Sequence, residues 1–131
     1  MNKGTIIYHP KYRFQDSDTS PKYLIVINSP PSSIPYLIVK TTSQKIDKPE
    51  HPGCHHFYSV FKIDHSKEWF PRDTWIQFHE IYHCFSNEIE DWFVKYGAEI
   101  KGELSEQTFL ELKECIMTSR DITTYELILL K

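Results

Sequence analysis

A chain of 131 residues and 15.6 kDa has room for one compact domain, 1–131, and not for two. With 40% hydrophobic residues, and eight Phe, eight Tyr and three Trp against four Gly and eight Pro, it is neither disordered nor fibrous. Its longest apolar runs, Tyr23–Ile27 and Tyr36–Val39, fall far short of the ~20 residues that a membrane-spanning helix needs. The net charge of −3 hides a polarity: residues 1–53 carry seven Lys/Arg against four Asp/Glu, whereas residues 54–131 carry eight against fourteen. A phosphate-binding face, if there is one, is expected in the first half.

In chain order, Thr5–Phe14 is β-branched and aromatic and reads as a strand, with Pro10 marking a bulge or an edge. Gln15–Pro21 has loop composition. Tyr23–Ile27 and Tyr36–Thr42 are the next two strands, separated by the Ser/Pro-rich stretch Asn28–Ser33. A polar loop, Ser43–Gly53, leads to looser alternation at Phe57–Ile63 and a longer strand at Thr74–Phe85. The character then changes. Asn87-Glu88-Ile89-Glu90 resembles a capping box, followed by Ile89, Trp92, Phe93 and Tyr96 at helical spacing and a stop at Gly97. A second helix is expected from Ser105 to near Ser119, with Leu104 and Phe109 as its hydrophobic staple and Phe109, Leu112 and Ile116 as its apolar stripe. Tyr125–Leu130 reads as a final strand. The predicted architecture is mainly β within the α+β class: a small antiparallel barrel-like sheet with a C-terminal helix and one additional short helix.

His79-Glu80-Ile81-Tyr82-His83 matches the H-E-x-x-H pattern of zinc peptidases. That chemistry requires a helix, on which the two imidazoles share a metal and the glutamate acts as base. Here the flanks are β-branched and aromatic. On a strand Glu80 points away from His79 and His83, so no zinc is expected there, and no other metal or cofactor. Cys54-His55-His56, with His51 nearby, holds zinc-type ligands, but adjacent residues cannot all reach one tetrahedral ion. Three cysteines without C-x-x-C spacing, and no apolar segment after Lys3 to serve as a secretory leader, predict free thiols in the cytoplasm.

Three segments carry a family resemblance: Gly4-Thr5-Ile6-Ile7, Ser20-Pro21-Lys22-Tyr23-Leu24-Ile25-Val26-Ile27-Asn28, and Leu37-Ile38-Val39-Lys40-Thr41-Thr42-Ser43-Gln44. With the late helix of Leu104, Phe109, Leu112 and Ile116, they resemble the MazF/PemK/Kid-like toxins in the same order. The resemblance implies an SH3-like barrel, a homodimer, and a metal-independent endoribonuclease that cuts single-stranded RNA within a toxin–antitoxin system. It places Thr42 and Ser43 at the end of the third core strand, in the active groove. The family's arginine before the second-strand proline is not matched: Ser20 stands there. Lys22 is the nearest cation, and Arg13 the next candidate.

The residues themselves are compatible with such chemistry. Metal-free RNA cleavage needs a base for the 2′-OH, an acid for the leaving oxygen and donors for the phosphorane. Lys22, Thr42, Ser43, Arg13 and His55 are the catalytic candidates; His9, Tyr12, Lys40, Gln44 and Lys45 are the RNA-binding ones. Tyr8, Tyr12 and Phe14 could stack unpaired bases. Two other readings remain open from sequence: a non-catalytic module that binds RNA or a protein such as an antitoxin, and a small zinc peptidase.

Overall fold

The computed structural model describes residues 1–13 and 19–131, and for Arg13, Thr19 and Ser20 only the backbone. Its centre is a seven-stranded antiparallel sheet: β1 (Thr5–Arg13), β2 (Thr19–Val26), β3 (Tyr36–Thr42), β4 (Gly53–His55), β5 (Val60–Ile63), β6 (Thr74–Cys84) and β7 (Glu99–Glu103), in the order β4-β5-β6-β3-β2-β1-β7. Three helices follow or interrupt it: α1 (Ser86–Lys95), α2 (Glu106–Met117) and α3 (Thr124–Leu130). The class is α+β and mainly antiparallel, as the sequence suggests. The sheet is open, with β4 and β7 at its two edges, in place of the expected barrel.

The reason lies in the apolar runs. Along Leu24–Ile27 and Leu37–Val39 every residue is buried, and successive residues enter opposite cores. Ile6, Ile25, Leu37 and Val39 face Phe109, Leu112, Ile116 and Leu130 of α2 and α3. Ile7, Leu24, Val26 and Ile38 face Ile89 and Trp92 of α1. A sheet packed by helices on both faces needs no polar side, so its central strands do not alternate in hydropathy.

Pro10 does sit at a bulge. Pro10 and Lys11 on β1 stand opposite the single residue Pro21 on β2, between the His9–Lys22 and Tyr12–Ser20 pairs. Two residues without an amide N–H meet where the ladder is already interrupted. β2 begins at Thr19, inside the expected loop; residues 15–18 of that loop, and Phe14 at the end of the first expected strand, lie outside the described residues. Beyond Val26, the buried Asn28 closes the turn into β3, accepting from the Leu37 amide at 2.7 Å and donating to the Pro35 carbonyl at 3.2 Å.

Helix α2 begins as expected. Ser105 caps it by accepting from the Thr108 amide, and the carboxylate of Glu68 accepts from the Ser105 amide, the Ser105 hydroxyl and the Thr108 hydroxyl. Leu104 and Phe109 are buried together. The capping box expected at Asn87–Glu90 is not formed: α1 starts at Ser86, capped by Phe85 with no side-chain bond. Its stop is as expected, with Gly97 at φ 75° and the Ala98 amide returning to the Trp92 carbonyl.

The expected final strand is a helix. Thr123 and Glu126 form the capping box that begins α3: the Glu126 amide donates to the Thr123 hydroxyl, and the Thr123 amide donates to the Glu126 carboxylate. The His83 ring donates to the same carboxylate at 2.6 Å. Burial pushes the Glu126 carboxyl up, but the Thr123 backbone, the His83 ring and the Thr123 hydroxyl outweigh it, leaving it below its ordinary 4.5. A depressed carboxylate stabilises the fold above the unfolded-state value, and that contribution is lost as pH falls through the folded-state value. Thermal melts between pH 7 and pH 3 should therefore show a shallower acid decline for Glu126→Gln than for the wild type. Equal slopes would remove Glu126 from the acid response.

Candidate functional site

The β2–β3 pairing runs from Val26–Ile38 to Leu24–Lys40. Past it, the start of β2 and the end of β3 form one side of a groove of ≈ 240 Å³, and the segment before β6 forms the other. Lys22, Tyr23, Thr42, Ser43, Gln44 and Arg72 line it, with Tyr8 at one end. Four of the sequence-derived candidates, Lys22, Thr42, Ser43 and Gln44, thus meet in one place. Among the described residues, no carboxylate and no histidine lines this groove.

Local bonds fix the walls. The Thr41 hydroxyl donates to the Tyr23 carbonyl at 2.8 Å, tying β3 to β2 where the ladder has ended. The Gln44 amide donates to the Thr42 hydroxyl at 3.2 Å, turning the chain out of β3. Across the groove the Thr74 hydroxyl donates to the Arg72 carbonyl at 2.9 Å and holds the arginine segment at the start of β6. Burial lowers the pKa of the Lys22 ammonium, and Lys40 and Lys48 lower it further. Lys40 and Lys48 thus stand close enough to act on Lys22, and an exposed arginine, Arg72, lines the opposite wall. Beside it lies an aromatic row: Tyr8 and Tyr23 are 5.3 Å apart, Tyr23 and Trp69 also 5.3 Å, and Lys101 caps the Tyr8 ring at 5.8 Å.

Of the other candidates, Lys40 stands on β3 opposite Leu24 and near Lys22, while His55, His9, Tyr12 and Lys45 lie elsewhere. His55 is on the edge strand β4, beyond β6 and β5, with its ring nitrogen 2.7 Å from the His51 carbonyl. His9 is buried on the α1 side of the sheet among Tyr12, Trp92 and Tyr96, and its Nδ1 accepts from the Lys11 amide. Burial lowers the His9 pKa against the pull of its own backbone. Tyr12 packs on Trp92 and Tyr82, and burial drives its phenol far above the ordinary range. Neither His9 nor Tyr12 reaches the groove. Lys45 pairs with Glu50 at 3.6 Å at the surface. Arg13 ends β1 with its side chain outside the described residues, and Phe14 lies outside them altogether. Arg72 is the residue that sequence reasoning passed over; Pro71-Arg72 sits in a stretch with neither helical nor strand periodicity.

His79-Glu80-Ile81-Tyr82-His83 lies on β6, as expected of its flanks. The β3–β6 register shifts within it, between the Lys40–Gln77 and Ile38–Tyr82 pairs. His83 is held by Glu126 of α3, and His79 is exposed. The cluster of three possible metal ligands among the described residues is a different one: Cys54, His56 and Cys115. Here the structure corrects the sequence reading, because Cys54 and Cys115 form a disulfide, with S–S 2.01 Å and Cα–Cα 5.6 Å. Cys84 is free and buried. Among the described residues, no helix is long and apolar enough to cross a membrane.

A scan against protein-family models finds no match for this chain, and comparison with curated proteins finds none either.

Proposed function

We propose that the groove between the β2 start, the β3 end and Arg72 binds single-stranded RNA through its phosphate backbone. The observation that carries the reading is the convergence of Lys22, Thr42, Ser43, Gln44 and Arg72 on one groove. A phosphodiester needs cations and hydroxyl or amide donors, and these residue types supply both. The row Tyr8, Tyr23 and Trp69 gives neighbouring bases a surface to stack on, which duplexes do not need and single strands do. Fluorescence anisotropy of a labelled single-stranded RNA oligonucleotide, repeated across salt concentrations, tests it. Binding that weakens linearly in log–log form with salt is expected. An affinity indifferent to salt, or higher for duplex RNA, would overturn it.

The second reading is cleavage at the same groove, in the manner of the toxin endoribonucleases that the sequence resembles, with a homodimer and an antitoxin as its corollaries. One observation favours it: Arg72 lines the groove, in a chain that has Ser20 in place of the arginine of those toxins. A planar fork of donors can clamp a phosphorane, whereas a lysine offers a point charge. Incubation of the RNA with the protein in chelator separates the two readings. Cut RNA supports the nuclease; intact, bound RNA leaves the binding module.

A further inference from the structure

We propose that the reduced protein binds a thiophilic divalent cation, zinc foremost, through Cys54 Sγ, His56 Nε2 and Cys115 Sγ, and that the disulfide is the metal-free form of this site. The three ligand atoms all lie within 4.8 Å of one another, although they come from β4, the 3-10 turn His56–Tyr58 and α2. Helix α2 packs against β4, and Phe61 of the neighbouring β5 shares one core with Phe109, Leu112 and Ile116 of α2.

The surroundings of His56 point the same way. Its Nε2 lies 3.3 Å from Cys54 Sγ, 2.9 Å from the Cys115 carbonyl and 3.1 Å from the Thr118 hydroxyl. One ring nitrogen carries at most one proton, and here three electron-rich atoms converge on it. A cation at that point meets the two sulfurs as soon as they separate. In a tetrahedral zinc site with Zn–S near 2.3 Å the sulfurs stand about 3.8 Å apart, a separation open to them once the bond is broken. Cys54 and His56 are exposed, which gives a reductant access, while Cys115 is anchored in the core.

The chemistry balances with a dithiol reductant. Two electrons and two protons pass from it to the Cys54–Cys115 bond, which becomes two thiols as the dithiol closes to its own disulfide. The cation then displaces both thiol protons, and His56 binds as the neutral ring with its remaining proton on Nδ1. Two thiolates and an imidazole select zinc-like ions over magnesium or calcium. They also leave a fourth position open, toward a hollow of ≈ 550 Å³ lined by Phe61, Leu110, Glu111 and Glu114.

Cobalt(II) is the probe. After reduction by a dithiol and its removal under nitrogen, the full chain should take up one cobalt with thiolate-to-metal charge-transfer absorption in the near ultraviolet, displaced by zinc. The oxidised protein should show none. His56→Ala keeps both cysteines and should weaken uptake by at least about 10-fold, the loss that even an outer-shell partner gives. Cys115→Ser should abolish the charge-transfer band, and His79→Ala should change nothing. Circular dichroism on each sample establishes that the protein is folded. Folded, reduced wild type without the band overturns the proposal, as does a full-strength band in His56→Ala or its loss in His79→Ala.

Discussion

Lys22→Ala and Arg72→Ala are each expected to weaken single-stranded RNA binding by about 10- to 100-fold, the loss of one hydrogen bond to a charged group at about 1.5–3 kcal/mol. Each should also flatten the salt dependence by about 0.7 in the log–log slope, because one fewer counterion is released. The slope separates a phosphate contact from a general disturbance of the fold, which would lower affinity without that signature. Arg72→Lys should fall between wild type and Arg72→Ala, since it restores the charge but not the fork. His55→Ala is the control: His55 lies on β4, beyond two intervening strands, and should bind as wild type does. Anisotropy titrations of the four variants at three salt concentrations decide it. A His55 effect as large as the Lys22 effect would move the site.

Reduction should make the chain markedly easier to unfold. The Cys54–Cys115 bond closes a loop across a separation of 61 residues, for which chain entropy gives about 4 kcal/mol of stabilisation. That is a large share of the ~5–15 kcal/mol that holds a typical domain together. Urea titrations of oxidised and reduced protein at one pH should therefore give well-separated midpoints, and Cys115→Ser should match the reduced curve. Cys84→Ser should leave the interval between oxidised and reduced midpoints unchanged, since Cys84 is buried on the α1 side and bonded to no other cysteine. Coincident midpoints would show that the bond constrains nothing.

Local signals in the sequence carried most of the elements. The Pro10 bulge, the Ser105 cap with its Leu104–Phe109 staple, and the Gly97 stop each have a signal within a few residues of chain. Two further signals are local as well. Thr123-x-x-Glu126 before an apolar run is a helix-start signal, and it outweighs the apolar content that suggests a strand over Tyr125–Leu130. Unbroken burial along Leu24–Ile27 and Leu37–Val39 signals a sheet covered on both faces, which argues against a barrel with one solvated side. The candidate groove was half legible. Lys22 and the Thr42–Gln44 stretch lie on strand ends that periodicity can place, whereas Arg72 reaches them only through the β3–β6 pairing. Cys115 was hidden for the same reason: no local pattern links a helix residue to an edge strand 61 positions earlier.

The strand order has a consequence for how the chain is made. β1 lies between β2, its neighbour in sequence, and β7, which comes last among the strands. On the ribosome, β1 and β2 can pair as soon as they emerge. The other side of β1, with the amide and carbonyl groups that later meet Glu99–Glu103, then has no β7 to pair with until most of the chain is synthesised. An uncovered sheet edge that includes Ile6 and Ile7 is a template for another nascent copy. Slow translation ahead of residue 99 would lengthen that exposure, so yield of native protein should depend on synthesis rate and on chaperones that shield strand edges.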